Sequence, residues 1–171
     1  GAPGRRADVG IRGDRVASVG DLSGARATTE IDAGGKAVAP GFINVLSWAN
    51  ESLIADGRAM SDLKQGVTLE IMGEGESGGP LNDAMKADVL KHQGDIKYAI
   101  DWTTLGEFLD SLVRRGISLN VASFVGATSV RVHVLGEDDR DPTPAELLQM
   151  QQLVRQAMRE GALGVGSSLI Y

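Results

Sequence analysis

No cysteine occurs anywhere in this sequence, and only two histidines do, His92 and His133. The first absence excludes disulfides and thiolate metal sites, and it fits a reducing compartment such as the cytoplasm. The second means that a metal site built from several imidazoles cannot be completed inside the chain. No apolar run approaches the roughly 20 residues that a membrane span needs, and no basic segment with an apolar core opens the chain. Positive charge is also short. The 17 basic residues are outnumbered by 23 acidic ones, a net charge of −6 that disfavours a nucleic-acid or anionic-membrane partner. What is present is ordinary for a soluble globular chain of one-domain length: 171 residues, 42% hydrophobic and 23% charged.

Two grammars follow one another along the chain. Residues 7–39 hold short alternating pieces, "ADVGIRG", "RVASVGDL" and "TTEIDAGGKAVA", separated by Gly-Asp and Gly-Gly turn signals, which predict a small antiparallel sheet. From Phe42 onward apolar strand-like runs alternate with helices, which predicts βα repetition around a parallel sheet. The strands are expected in "FINVLS", "VTLEIMG", "SLNVASFVG" and "ALGVGSSLIY". The run Phe42 to Leu46 reads as a buried strand.

Helices are expected at "SDLKQG", at "PLNDAMKADVLKHQG" and at two better-signed segments. In "TTLGEFLDSLVRRG" Thr104 and Glu107 fit a capping box, Leu105, Phe108, Leu109, Leu112 and Val113 form an apolar stripe, and Gly116 stops the helix. In "TPAELLQMQQLVRQAMREG" Thr143 caps, Pro144 takes the first helical position and Glu146 completes the box. Leu147, Met150, Leu153, Val154, Ala157 and Met158 are expected to face the core, with Gly161 ending the helix.

Four parallel strands with their helices amount to about half of a (β/α)8 barrel, which typically needs about 250 residues. An open doubly wound sheet is the rival, and in both architectures chemistry lies beyond the carboxyl ends of the strands. The chain starts at "GAPGRRADV" and stops in mid-run at "GVGSSLIY", so both ends read as cut. Half a barrel leaves an unpaired parallel edge, which keeps self-association into a homo-oligomer open.

Five segments taken in order, "GRRADVGIRGDRVASVGD", "IDAGGKAVAPGFINV", "QGVTLEIMGEG", "SLNVASFVG" and "PTPAELLQMQQLVRQAMREGALGVGSSLIY", resemble the N-acyl-D-amino-acid deacylase (D-aminoacylase) branch of the metal-dependent amidohydrolases across nearly the whole chain. The resemblance implies a β-sandwich portion over residues 1–40, followed over residues 41–171 by the first four βα units of a TIM barrel. It implies a zinc cofactor and, as substrate, a small N-acyl amino acid or related amide. In that family the first barrel strand runs Pro-Gly-Phe-Ile-Asp and then presents His-x-His. Here Leu46 and Trp48 stand in place of both histidines, and neither offers a practical donor atom. Where the family writes Gly-Asn-Cys-Gly after the second strand, one deleted residue brings Glu74 to the cysteine position, and a carboxylate is an acceptable zinc ligand. The family's Val-Gly-His becomes Val125, Gly126, Ala127. "SSLIY" resembles the family's Ser-Thr-Gly-Leu-Ile-Tyr, whose tyrosine faces the cleft.

Glu74 is the metal-ligand candidate, because Gly73 and Gly75 leave the backbone free to turn and aim a carboxylate. A solvated loop acid is the plainer reading, and Glu76 is the rival in register. Glu70, inside the strand, is expected in a structural ion pair. Tyr171 is the candidate catalytic donor to a substrate carbonyl, or else an interfacial aromatic. Ser47, Ser167 and Ser168 are candidate substrate contacts, although the last two also fit as small strand-end residues with no histidine base for a nucleophile. Trp48 is expected to pack. His92 reads as a surface or capping histidine, and His133, alternating with Val132 and Val134, has no neighbouring ligand. "GEGESGGP" lacks the phosphate-loop ending, and "GEDDRD" lacks EF-hand spacing.

Two functions remain open: a metal-dependent amidohydrolase, and a non-catalytic binding protein that keeps the scaffold without its metal ligands.

Overall fold

Alternation of β-branched with small or polar residues around Gly13, whose φ of 61° suits a tight turn, pairs Asp8–Arg12 (β1) with Arg15–Gly20 (β2). The pairing is antiparallel, from Asp8 opposite Gly20 to Arg12 opposite Arg15, with one register shift between Gly10 and Ile11. The computed structural model describes residues 3–168, and the chain divides into two units, Gly1–Ala39 and Pro40–Tyr171. In the first unit the third alternating piece forms no strand. Its Gly34 and Gly35 make a turn closed by Lys36 N–H on Ala33 O at 3.0 Å, and its Ile31 and Val38 are exposed. The expected sheet is therefore a two-stranded hairpin, because this piece has no apolar face to bury.

The second unit is mixed α/β, and its strands are parallel. Phe42–Asn44 (β3), Val67–Met72 (β4) and Asn120–Ser123 (β5) form one sheet in that order. Val125–Gly126 (β6) pairs with Val165–Gly166 (β7) in a second. Phe124 alone separates β5 from β6; its N–H donates to Met72 O at 2.9 Å, while Leu163 N–H donates to Ser123 O at 2.9 Å. The third strand thus passes from one neighbour to the next, and the paired strands follow sequence order.

Six helices cover these strands: Asn50–Ala55 (α1), Met60–Lys64 (α2), Asp83–His92 (α3), Leu105–Arg115 (α4), Ala127–Leu135 (α5) and Pro144–Arg159 (α6). Both expected capping boxes are formed, Thr104 with Glu107 on α4 and Thr143 with Glu146 on α6. Leu105, Phe108 and Leu112 of α4 join Leu53, Met72, Trp102, Val125, Val130 and Ala157 in one core. Trp102 packs on Phe108 with ring centroids 5.4 Å apart, and Tyr98 stacks on Trp102 at 6.3 Å.

Several expectations of burial do not hold. Val113 of α4 and Leu147 and Met158 of α6 are exposed at the margins of their stripes. Phe42, Ile43, Val45 and Leu46 are exposed too, because β3 lies at the edge of its sheet with a neighbour on one side only. "VRVHVL" is helical, within α5, and not an alternating strand. No helix among the described residues is long and apolar enough to cross a membrane.

Candidate functional site

The carboxyl end of β4 is a glycine-hinged loop. Gly73 and Gly75 have φ of 93° and 71°, and between them the backbone turns sharply, with Glu76 N–H donating to Glu74 O at 2.7 Å. Glu74 is half-buried and Glu76 is exposed. The loop lies directly against the ends of β6 and β7: a methyl group added to Gly126 would overlap Gly75 O, and one added to Gly166 would overlap Gly73 O. Thr128 N–H donates to Gly75 O at 2.9 Å. Ser77 completes the fastening. Its N–H donates to Ser129 Oγ and its hydroxyl accepts from Gly126 N–H, both at 2.9 Å, while donating to Gly79 O at 2.6 Å. Trp102 Nε1 donates to Gly78 O at 2.7 Å. Glu74 is therefore carried on a segment held at both ends.

At the end of β3 the side chains separate by face. Leu46 and Trp48 are each 53% exposed, whereas Ser47 between them is 6% exposed. Ser47 N–H donates to Ile71 O at 2.9 Å, its hydroxyl donates to Glu70 Oε2 at 2.5 Å, and Ala49 N–H donates to its Oγ at 3.2 Å. The only hydroxyl proton of Ser47 is thus given to Glu70. Trp48, expected to pack, is exposed beside it. Glu70 is 1% exposed and belongs to no ion pair among the described residues, so the expected cation is replaced by a serine hydroxyl. Its Oε1 and the Oδ1 of Asn50 are the buried side-chain acceptors left without a partner among the described residues.

Ser167 is exposed and Ser168 half-buried just beyond β7, on the same side of the sheet as the other strand ends. Tyr171 lies outside the described residues. His92 ends α3 with Nδ1 3.0 Å from Asp88 Oδ1, a surface contact. His133 lies on α5, where burial pushes its imidazole below the ordinary range.

Zinc is most often held by four donors in tetrahedral array. Among the described residues no group of three or more His, Cys, Asp or Glu side chains is placed to hold a metal ion. The donors in hand do not fit a complete zinc site; Glu74 is the carboxylate nearest to that role by position on the strand-end loop. The Ser47–Glu70 pair and the Ser77 fastening were not foreseen from sequence. A signal existed for the first, a lone glutamate inside an apolar strand, but its partner lies 23 residues away.

No established family profile matches the sequence. Over 99% of its length it is 35% identical to D-aminoacylase of Alcaligenes xylosoxydans xylosoxydans, and over its full length 34% identical to N-acyl-D-glutamate deacylase of the same organism. The chain spans about 35% of the length of each of these curated relatives. The crystal structure of N-acyl-D-glutamate deacylase from Bordetella bronchiseptica, complexed with zinc and a phosphonate that mimics the tetrahedral intermediate, is similar over 99% of this chain and 36% of its own. That match has a TM-score of 0.85 at 30% identity.

Proposed function

The homologues of this chain, along its whole length, are D-aminoacylase and the N-acyl-D-amino-acid deacylases, and from that premise we propose that the protein hydrolyses the amide bond of a small N-acyl-D-amino acid. The single observation that carries the proposal is this end-to-end similarity, sustained in sequence and in backbone. The scaffold is read as a β-sandwich portion over residues 1–40 and the first half of a (β/α)8 barrel over residues 41–171. Parallel strands paired in sequence order support the barrel over a doubly wound sheet, whose strand order reverses.

Hydrolysis adds water across the acyl C–N bond: the acyl carbon gains the hydroxyl, and the amine departs with a proton. In this reading the strand ends form the cleft floor. Glu74 brings a fixed negative charge to it on a backbone that Gly126 and Ser77 prevent from drifting. Ser167 and Ser168 border the cleft, and Tyr171 donates its phenol proton to the substrate carbonyl oxygen, where charge develops. Zinc is the cofactor proposed for the whole protein, with Glu74 as the donor this chain supplies and the others lying beyond its described residues.

A second reading is favoured by one observation, that Leu46 and Trp48 offer no donor and that no ligand group is assembled among the described residues. In it the protein binds such amides without cleaving them. The test is incubation of the full-length protein with N-acetyl-D- and N-acetyl-L-amino acids, following free amine. The account expects release from the D series. Saturable binding measured by calorimetry, with no amine released, favours the second reading.

A further inference from the structure

A buried carboxylate with a single hydrogen bond destabilises a fold more than an apolar side chain of the same size would, so Glu70 invites a reason other than stability. Its place supplies one. Glu70 sits on β4 opposite Asn44 of β3, and its Oε2 reaches past the end of β3 to the Ser47 hydroxyl at 2.5 Å. Ser47 is held a second time by its N–H on Ile71 O at 2.9 Å, and its Oγ in turn takes the N–H of Ala49, just before α1, at 3.2 Å. One serine thus joins β3, β4 and the entry to α1.

Successive side chains of an extended segment point to opposite faces. Drawing Ser47 inward onto Glu70 therefore obliges Leu46 and Trp48 to face the other way, which is where both are open, at 53% exposure each. If Ser47 were released, nothing else described at this position would fix the face. The neighbouring backbone anchor, Leu46 N–H on Asn44 Oδ1 at 3.2 Å, lies on an exposed, local contact.

We infer that Glu70 is a positioning residue: through the Ser47 hydroxyl it sets the direction in which Leu46 and Trp48 meet the substrate at the carboxyl end of β3. This rests on the reading that the cleft lies at the strand ends. Glu70 itself touches no substrate, being 1% exposed.

The test uses full-length protein labelled with 5-fluorotryptophan, in which the 19F resonance absent from Trp48→Phe identifies Trp48. Ser47→Ala and Glu70→Leu should shift or broaden that resonance and lower kcat by about 100-fold, the scale of a displacement near 1 Å in a site, with KM little changed. Glu70→Gln keeps an oxygen to accept from Ser47 and should restore both readouts. Should Ser47→Ala fail to fold, the double variant Ser47→Ala/Glu70→Leu removes the unpaired charge and carries the same expectation. An unmoved Trp48 resonance in a folded variant lacking the hydrogen bond overturns the inference. A wild-type protein that hydrolyses no N-acyl amino acid refutes the proposed function alone, because the Trp48 resonance still decides the positioning.

Discussion

Gly126→Ala is the perturbation that most directly probes how Glu74 is carried. A Cβ at position 126 would lie 2.7 Å from both Glu76 Cα and Glu76 C, and would overlap Gly75 O. Ordinary contact begins at 3.4 Å, so the loop must retreat by at least the difference, 0.7 Å. The obstacle is backbone, which cannot swing aside as a long side chain can. Overpacking of this kind costs about 1–3 kcal/mol. Retreat of Gly75 also lengthens the 2.9 Å bond from Thr128 N–H, worth about 1 kcal/mol more. A total of about 2–4 kcal/mol should appear as a lower denaturant midpoint of the full-length protein at unchanged m-value. A shift of this size at Glu74 should also lower amide hydrolysis by one to two orders of magnitude, on the order of the loss expected for a displacement near 1 Å. Gly94→Ala is the control: its Cβ would meet nothing within 4 Å, and it should fall within about 0.5 kcal/mol of wild type. A Gly126→Ala protein with wild-type midpoint and activity would refute the argument that the loop is pinned against the third strand.

Leu112→Ala, at a fully buried position of α4, should cost about 2–5 kcal/mol, whereas Val113→Ala beside it, 69% exposed, should change the midpoint by no more than about 0.5 kcal/mol. Equal effects would misplace the apolar stripe. The Arg140 guanidinium, 2.6 Å from Glu146 Oε1, together with the Thr143 N–H, holds the Glu146 carboxyl down at about 2. Because the folded value is depressed, the contribution is present above the ordinary carboxylate range near 4.3 and is lost as pH falls through about 2. A carboxyl NMR titration should find Glu146 charged down to about pH 2 and Arg140→Gln moved upward; a wild-type midpoint near 4.3 would refute the pairing. Glu51→Gln should lower the Tyr98 phenol from about 12, where burial and then the Glu51 charge have pushed it, as read by ultraviolet titration.

The elements legible in the sequence were those decided within a few residues. Thr104 with Glu107 and Thr143 with Glu146 each satisfy a helix start from three positions away, and both capping boxes form as their spacing predicts. Burial was less legible, since it depends on neighbours far along the chain. Phe42 and Ile43 have strand-core chemistry but sit on an edge strand, and Val113 continues an apolar stripe beyond the width its neighbours cover. Tertiary contact also overrode local preference at α5. Its β-branched "SVRVHV" favours strand, yet Ser129 is fixed to Ser77 across 52 residues and the segment turns helical. The site was half legible in the same way. The glycines flanking Glu74 announced a turning backbone, and φ of 93° and 71° are what such glycines allow. The Ser47 hydroxyl looked available to a substrate because nothing local shows that Glu70 takes its proton.

The central claim, an amidohydrolase whose strand-two loop presents a functional carboxylate, is tested most directly by one paired measurement on full-length protein: zinc by elemental analysis and free D-amino acid by chromatography, for wild type, Glu74→Gln and Glu76→Gln. The account predicts bound zinc and turnover in wild type, and loss of both in Glu74→Gln beyond the roughly 10–100-fold typical of residues that only support a ligand. It predicts a mild effect in Glu76→Gln, whose side chain is exposed. Unchanged zinc and turnover in Glu74→Gln, or wild-type protein that binds N-acyl-D-amino acids and leaves them intact, would contradict it.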